Sequence, residues 1–332
     1  MGTAFEREIR EQPAVWERVA ASDAARRLAD SIDGPVVLVG SGSSLFAAQL
    51  GALALRRRRI DAVALAATEA HLDHRAYEGH TVVALSQSGR STDLLQALDV
   101  LAPRRTIALT NSTASPLAER ADVTVDILAG REVAVPASKS VTATVALLLW
   151  AASLKGATTA RNAPVLREAA AQVRGWLSSP ACATVEDAAR EIARRPHVAV
   201  LGSDYGLPIA REAALKLKEA AYLHAEGFSA GEFRHGSVAM VDQTYAVVGI
   251  VDRDALPAVE RPLRDLAGRA ALRYLIGSCG VDGIERLGPE VVEPYNTLGW
   301  LVTAQLLALY AALAKGIDPD APRGLTKAIV ER

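Results

Sequence analysis

Short apolar runs and helix-length amphipathic segments alternate along this chain. The run Val36-Val37-Leu38-Val39 leads into small residues at 40–44 and then into a helix-length stretch from Leu45 to about Arg58. Apolar runs without a polar face are typical of buried parallel strands. Four more runs of this type follow, each separated from the next by a helix-length segment: Ala62–Leu65, Thr81–Leu85, Thr106–Leu109 and Val123–Ile127. The alternation predicts a doubly wound parallel α/β sheet.

The strand, loop and helix pattern then occurs a second time. His197–Leu201 leads into Gly202-Ser203-Asp204-Tyr205-Gly206 and a helix over Pro208–Glu219. Further elements are predicted in the following order: helices Lys139–Trp150 and Ala163–Trp176 before this pattern, then strands Tyr245–Val251 and Arg273–Ile276 and helix Thr297–Lys315 after it. We therefore predict two similar α/β domains, each a flavodoxin-like sandwich.

The domain boundaries are expected where the pattern changes. We predict an N-terminal helical segment over 1–30, with an amphipathic helix at Ala14–Ser31. The first domain covers 31–180, the second covers 181–315, and a tail covers 316–332. Because the tail holds Pro319 and Pro322, it is not expected to form one continuous helix.

Composition narrows the class of protein. A chain of 332 residues is long enough for two cores, and half of its residues are hydrophobic. The net charge is -1, and no basic block is interleaved with aromatic residues, so nucleic acid is not an expected partner. The two cysteines and six histidines show no metal-ligand spacing, so no metal site is predicted. No nucleotide fingerprint of the GxGxxG type appears at either first loop, and no cofactor is predicted.

Targeting signals are not expected either. Residues 1–17 carry several charges and no apolar core, unlike a signal peptide. Val141–Leu154, taken as the longest apolar run, is too short to span a bilayer. We therefore expect a cytoplasmic protein without a membrane partner.

The strongest local signal is the segment Ser86-Gln87-Ser88-Gly89-Arg90-Ser91-Thr92-Asp93. A strand ends just before it, and a helix begins near Ser91. A helix N-terminus offers free N–H groups and a partial positive charge, and the added hydroxyl donors would complete a cradle for phosphate. The alternative is that the hydroxyl groups only cap the helix.

This loop resembles the phosphate loop of the SIS (sugar isomerase) domain family. Over nearly its whole length the chain is similar to the isomerase half of glucosamine-6-phosphate synthases. The similar segments occur in the same order: Glu8-Ile9-Arg10-Glu11-Gln12-Pro13, Thr110-Asn111-Ser112, Ser115-Pro116-Leu117, Ala129–Glu132, Ala137–Lys139, Glu212–Glu219, His224–Glu226, Gly231–Gly236 and Pro322–Lys327. The resemblance implies two SIS domains and a sugar-phosphate substrate.

Three features depart from the synthases. Arg90 stands where an acidic residue is usual, and the first loop, Ser41-Gly42-Ser43-Ser44, does not begin with cysteine. The sequence also begins where the isomerase half begins, so we expect neither a glutaminase domain nor an ammonia channel. These features resemble stand-alone, synthase-like glucosamine-6-phosphate deaminases and the deglycases of amino-acid sugar phosphates.

The resemblance also assigns catalytic roles. It implies that Glu219 moves a proton between sugar C1 and C2, and that Lys216 polarises the substrate oxygen. His235 would open the sugar ring from the neighbouring subunit of a homodimer. Lys327 would contact the reactive end of the sugar and form an imine, with the tail as a lid. From the residues alone, Glu219 and Lys327 are exposed side chains and Lys216 forms an intrahelical ion pair.

Substrate contacts follow from the same resemblance. The positions that match phosphate and sugar ligands are Ser44, Ser86, Gln87, Ser88, Ser91 and the backbone of Val135. Lys139 is interpreted as a structural partner of its loop, and His224 as a residue that fixes a turn.

We therefore expect a homodimeric isomerising deaminase that converts glucosamine 6-phosphate to fructose 6-phosphate and ammonia. A deglycase acting on a substrate such as fructoselysine 6-phosphate would use the same residues with a roomier pocket near residues 135–139. A simple aldose–ketose isomerase also fits the carboxylate. A sugar-phosphate sensor is the remaining alternative, but sensors need not keep Glu219, His235 and Lys327, and all three are present.

Overall fold

The computed structural model describes residues 3–156 and 162–327, except for the side chains of residues 73 and 74. These residues form two five-stranded sheets. The strands are β1 Val36–Gly40, β2 Ala62–Ala66, β3 Thr81–Ser86, β4 Arg105–Thr110 and β5 Val123–Asp126, then β6 His197–Gly202, β7 His224–Ser229, β8 Tyr245–Val251, β9 Leu272–Gly277 and β10 Glu285–Leu287. Every ladder within the two sheets is parallel.

The two sheets share one topology. The first has the order β2-β1-β3-β4-β5, and the second has the order β10-β9-β8-β6-β7. Counted from the first strand of each sheet, both orders are 2-1-3-4-5, the flavodoxin-like arrangement. The predicted pair of similar doubly wound parallel sheets is therefore confirmed.

The helices of the described residues are α1 Ala4–Ala20, α2 Ala24–Ser31, α3 Ser43–Arg56, α4 Ala70–Asp73, α5 Thr92–Leu101, α6 Pro116–Arg120, α7 Lys139–Leu154, α8 Asn162–Leu177, α9 Ala183–Ile192, α10 Gly206–Ala221, α11 Ala230–Phe233, α12 Leu256–Asp265 and α13 Asn296–Ala314. The described tail, residues 316–327, contains no helix, as the two prolines predicted.

Residue contacts divide the chain into two compact units. The first-sheet unit comprises the described residues of 14–132, 139–167 and 326–332. The second-sheet unit comprises the described residues of 1–13, 133–138 and 168–325. Each unit has its own apolar core, built on the central strands β1 and β3 in one and β6 and β8 in the other. All residues of these four strands are buried except His197 at the start of β6.

The predicted single helix over Ala14–Ser31 is wrong. The structure has α1 and α2 instead, and α1 begins ten residues before the predicted start. Ser22 accounts for the break between them. Its hydroxyl donates to the Val19 carbonyl at 2.9 Å and accepts from the Ala24 N–H at 3.3 Å, so it replaces helical bonds at this point.

The longest apolar segment is the helix α13 and not the predicted run 141–154. Among the described residues, α13 is the one helix long and apolar enough to cross a membrane, with mean hydropathy 1.6. Most of this helix, 83% of the apolar window, is buried inside the protein. A core helix of a soluble protein has the same properties.

Candidate active site

Two serine-bearing loops lie at one edge of the first sheet. Strands β1 and β3 are neighbours, and the chain leaves them toward opposite sides of the sheet, which makes their carboxyl ends a topological switch point. Ser44 lies in the first turn of α3, just after β1, and residues 86–91 follow β3. The structure therefore brings these predicted substrate contacts together where open α/β sheets bind ligands.

The serines of the β3–α5 loop hold the loop backbone. The Gly89 N–H donates to Ser86 Oγ at 3.1 Å, and the Arg90 N–H donates to Ser88 Oγ at 3.3 Å. Ser91 is the N-cap residue of α5, yet among the described residues its side chain makes no capping hydrogen bond. The alternative that the Ser91 hydroxyl only caps the helix is therefore wrong. Together with the N–H groups of the first turn, this hydroxyl can donate hydrogen bonds to an anion.

The segment after β4 braces this loop from behind. The Asn111 N–H donates to the Gln87 carbonyl, and the Leu117 N–H donates to the Gly89 carbonyl, both at 3.1 Å. Gly89 has φ +64°, and a Cβ there would lie 2.1 Å from Ser115 Oγ. Only glycine fits this position, so the loop is preformed by its contacts.

Lys327 pairs with a buried carboxylate in the first-sheet unit. Its Nζ donates to Glu132 Oε2 at 2.8 Å, and Glu132 also accepts from the N–H and hydroxyl of Ser140, at 3.0 and 2.7 Å. Burial alone would raise the pKa of the Glu132 carboxyl. The charge of Lys327 and these hydrogen bonds outweigh burial, so the pKa is lowered and the group is ionised at neutral pH.

Lys216 and Glu219 form a close ion pair on α10 in the second-sheet unit. Lys216 is 1% exposed, and its ammonium donates to Glu219 Oε2 at 2.5 Å. The same ammonium lies 3.6 Å from Glu212 Oε1, whose side chain is also 1% exposed. Glu219 keeps 21% of its side-chain surface exposed. The pair of Lys216 and Glu219 is therefore not a solvated helix-surface pair. Of the three charged side chains, the Glu219 carboxylate reaches solvent and the other two are buried.

The other predicted residues are placed as follows. His235 is exposed just after α11, where its N–H donates to the Glu232 carbonyl. Val135 donates its N–H to the Asp320 carbonyl at 3.1 Å. Lys139 is buried at the start of α7. His224 begins β7 and lies 3.1 Å from His197, measured between their Nδ1 atoms, so it belongs to a strand and not to a turn.

Several residues that contact the predicted site residues or their neighbours along the chain were not themselves predicted as site residues. They are Glu8, Glu132, Glu212 and Asp320. Glu212 precedes Lys216 by one helical turn, and this i, i+4 spacing could have revealed the pair. The partners of Glu132 and Asp320 lie far away along the chain, so no local pattern indicates them. Among the described residues, no group of His, Cys, Asp and Glu side chains could hold a metal ion.

Comparison with known proteins decides the family. The SIS domain family matches residues 33–154 and 191–287, which is more than half of the chain. The chain belongs to the SIS domain family. Both matched ranges contain the central strands of one sheet, so each sheet of this SIS protein corresponds to one matched domain.

Relatives and solved structures agree with this assignment. The chain is 31% identical over 300 residues to glutamine–fructose-6-phosphate aminotransferase [isomerizing] of Sulfurisphaera tokodaii, covering 89% of this chain and 49% of that protein. It thus spans about half the length of the curated relatives it matches. The C-terminal domain of the Francisella tularensis glucosamine-fructose-6-phosphate aminotransferase has a TM-score of 0.85 at 23% identity, over 97% of this chain and 98% of that one. Glucosamine-6-phosphate deaminase of Thermotoga maritima has a TM-score of 0.78 at 23% identity, over 99% and 100%.

Proposed function

We propose that this SIS protein is a sugar-phosphate isomerase that works as a deaminase, converting glucosamine 6-phosphate to fructose 6-phosphate and ammonia. The observation that carries the proposal is the pair of Lys216 and Glu219, in which a buried ammonium holds a partly exposed carboxylate. The curated relatives are named as isomerising aminotransferases of fructose 6-phosphate, which supports the same class of substrate.

The ion pair favours turnover over binding alone. Taking an ammonium out of water costs several kcal/mol unless close partners compensate for it. Recognition of a phosphate needs only donors such as those of the β3–α5 loop, so a binding protein gains nothing from a buried ammonium on α10. Isomerisation does gain, because it needs one ionised carboxylate at a fixed position to take a proton from C2 and return it to C1.

Each group has a role in the proposed reaction. The phosphate and the sugar hydroxyls are bound by Ser44, Ser86, Gln87, Ser88, Ser91 and the backbone of Val135. His235, supplied by the partner subunit of a homodimer, opens the ring by transferring a proton. Glu219 shifts the proton between C1 and C2, while Lys216 stabilises the oxygen on which charge develops. The resulting imine at C2 takes up water, the C–N bond breaks, and ammonia leaves with fructose 6-phosphate.

In this proposal Lys327 acts through its charge, as an ammonium, and does not need to form an imine. Its ammonium is bonded to Glu132, and a protonated amine is not a nucleophile. We propose that this pair holds the Lys327 ammonium toward the reactive end of the sugar. An imine would require Lys327 to lose its proton and part from Glu132.

The test is release of ammonia and formation of fructose 6-phosphate from glucosamine 6-phosphate. Glu219→Gln should lower kcat by about 10²–10⁴-fold, the usual contribution of general acid–base catalysis. Glu226→Gln, an exposed glutamate on β7 of the same unit, is the matched control and should be active.

The alternatives give different products. Interconversion of glucose 6-phosphate and fructose 6-phosphate without ammonia would indicate a simple isomerase. Release of lysine from fructoselysine 6-phosphate would indicate a deglycase. Tight binding of the sugar phosphate with no turnover by the parent protein would contradict the enzyme assignment and indicate a sensor.

The homodimer and the cytoplasmic location remain proposals as well, and the oligomeric state can be measured by analytical ultracentrifugation.

A further inference from the structure

A buried glutamate of α1 holds the backbone of a distant segment. Glu8 is 4% exposed, although it lies in the middle of a helix that is otherwise rich in solvated charges. Its carboxylate accepts from the N–H groups of Val133 and Ala134, the latter at 3.3 Å. Hydrogen bonds from two backbone donors to one carboxylate are charge-assisted, which compensates for its burial.

Asp320 of the tail holds the next residue of the same segment. Its carbonyl accepts from the Val135 N–H at 3.1 Å. Its carboxylate accepts from the N–H groups of Ala4 and Phe5, at 2.6 and 2.7 Å, and so caps the first turn of α1. One residue therefore ties together the tail, the start of α1 and Val135.

A third tie closes the other end of this segment. Gln12 and Gln305 are fully buried, and Gln12 Nε2 donates to Gln305 Oε1 at 2.7 Å. Gln305 Nε2 donates in turn to the Ser138 carbonyl at 3.3 Å. Glu8 and Gln12 are four residues apart, so one face of α1 directs both ties. This gives a structural reason for the Glu8–Pro13 motif, which the proposed reaction does not use.

These contacts fix a segment that has no regular secondary structure of its own. Residues 133–138 form neither helix nor strand, yet three consecutive N–H groups and the last carbonyl are bonded to buried or capping groups. Because the Val135 N–H is bonded to Asp320, a backbone contact from Val135 to a sugar must use its carbonyl. A carbonyl accepts hydrogen bonds, so it selects a hydroxyl or amino group as its partner.

We propose that Glu8 and Asp320 are positioning residues that hold the Val135 carbonyl where it accepts a hydrogen bond from a hydroxyl or amino group of the sugar. The inference rests on the proposed function, because it takes Val135 as a substrate contact. It assigns to α1 and to the tail a share in recognising the sugar end of the substrate, separate from recognition of the phosphate.

The test compares binding of two probes, glucitol 6-phosphate and inorganic phosphate, by calorimetry. Glucitol 6-phosphate is an open-chain sugar phosphate that the enzyme cannot turn over, so binding is measured without activity. Glu8→Gln replaces one acceptor oxygen by an N–H₂ group that faces backbone donors. We expect its affinity for glucitol 6-phosphate to fall about 10-fold, with the affinity for inorganic phosphate unchanged within twofold.

Two further variants keep the test sharp. Glu8→Asp preserves the charge and shortens the side chain by one methylene, so its loss of affinity for glucitol 6-phosphate should be intermediate. It replaces Glu8→Gln in the test if that variant folds poorly. Glu11→Gln, an exposed glutamate on the same helix, is the control and should bind both probes as the parent does. Melting temperatures establish that each variant is folded at the temperature of the measurement.

The outcomes separate the inference from the proposed function. Unchanged binding of glucitol 6-phosphate by folded Glu8→Gln and Glu8→Asp would overturn the inference and leave the proposed function standing. An equal loss of affinity for both probes would also overturn it, because a general loosening would then explain the effect. A parent protein that binds no glucitol 6-phosphate would refute both.

Discussion

Removing the ammonium of Lys216 tests the central ion pair of α10. Lys216→Met keeps a side chain of similar length but leaves Glu212 and Glu219 without their shared cation. Glu219 is 21% exposed and can be hydrated, whereas Glu212 is 1% exposed and cannot. Breaking a buried pair by removing one partner costs about 3–5 kcal/mol, so a loss of unfolding free energy of that size is expected at pH 7.

The loss should be specific to the buried carboxylate. If Glu212 causes most of it, Glu212→Gln in the Lys216→Met background should restore about 2 kcal/mol, within the range of coupling between contacting residues. Lys218→Met is the matched control, because Lys218 is exposed on the same helix, and it should change stability by no more than about 0.5 kcal/mol. Urea unfolding at pH 7 gives all these values, provided that the m-value is unchanged.

Two results would refute this reasoning. A loss below about 1 kcal/mol for Lys216→Met would mean that water or another group compensates for the buried carboxylate. Costs that simply add in the double variant would mean that Lys216 and Glu212 do not interact energetically. In either case we could no longer infer that the fold keeps this ion pair for catalysis despite its cost in stability.

Three other predictions concern the first-sheet unit. Gly89→Ala should weaken binding of inorganic phosphate at least 10-fold by displacing the loop, whereas Gly79→Ala, also at positive φ but with open space around it, should not; calorimetry decides. Ser91→Ala should weaken phosphate binding yet cost less than the ~1 kcal/mol of a lost cap in urea unfolding. Folding lowers the pKa of Glu132, so its pairing with Lys327 stabilises the protein at pH values above the ordinary pKa of 4.5, and this stabilisation is lost as the pH falls through the lower pKa of the folded state. Glu132→Gln should therefore remove that part of the acid sensitivity. An unchanged pH dependence of the unfolding free energy in this variant would contradict the prediction.

The central strands could be predicted from the sequence because burial on both faces leaves a continuous apolar run. Strands β7 and β10, at the edges of the second sheet, could not, because neither forms such a run. β7 places exposed His224 and Glu226 beside buried Ala225, and β10 has only three residues. The helix α9 was not predicted, because its polar residues lie beside the domain boundary expected between residues 180 and 181.

The candidate site divides in the same way. The β3–α5 loop is a local motif, since its serines, its glycine and the helix start lie within eight residues. The ties of Glu132 and Glu8 join residues 195 and 125 positions apart. Such pairs arise only from the tertiary fold, so the sequence could supply Lys327 through a family resemblance but could not supply its partner.

The three buried glutamates, Glu8, Glu132 and Glu212, bear on the choice between a binding protein and an enzyme. Each is less than 8% exposed. Glu8 and Glu132 accept hydrogen bonds from donors of their own unit, whereas Glu212 lies 3.6 Å from the Lys216 ammonium on the same helix. Burying a carboxylate seldom adds stability even when it is paired, and replacing a whole buried ion pair by apolar residues is often neutral or stabilising for a fold. Each glutamate instead contacts a group at or beside a position with a proposed role at the sugar end of the substrate. Glu8 bonds the N–H groups of the two residues before Val135, Glu132 pairs with Lys327, and Glu212 lies near Lys216. A protein that only recognised a phosphate would need the β3–α5 loop and none of the three, so their presence favours turnover of the sugar.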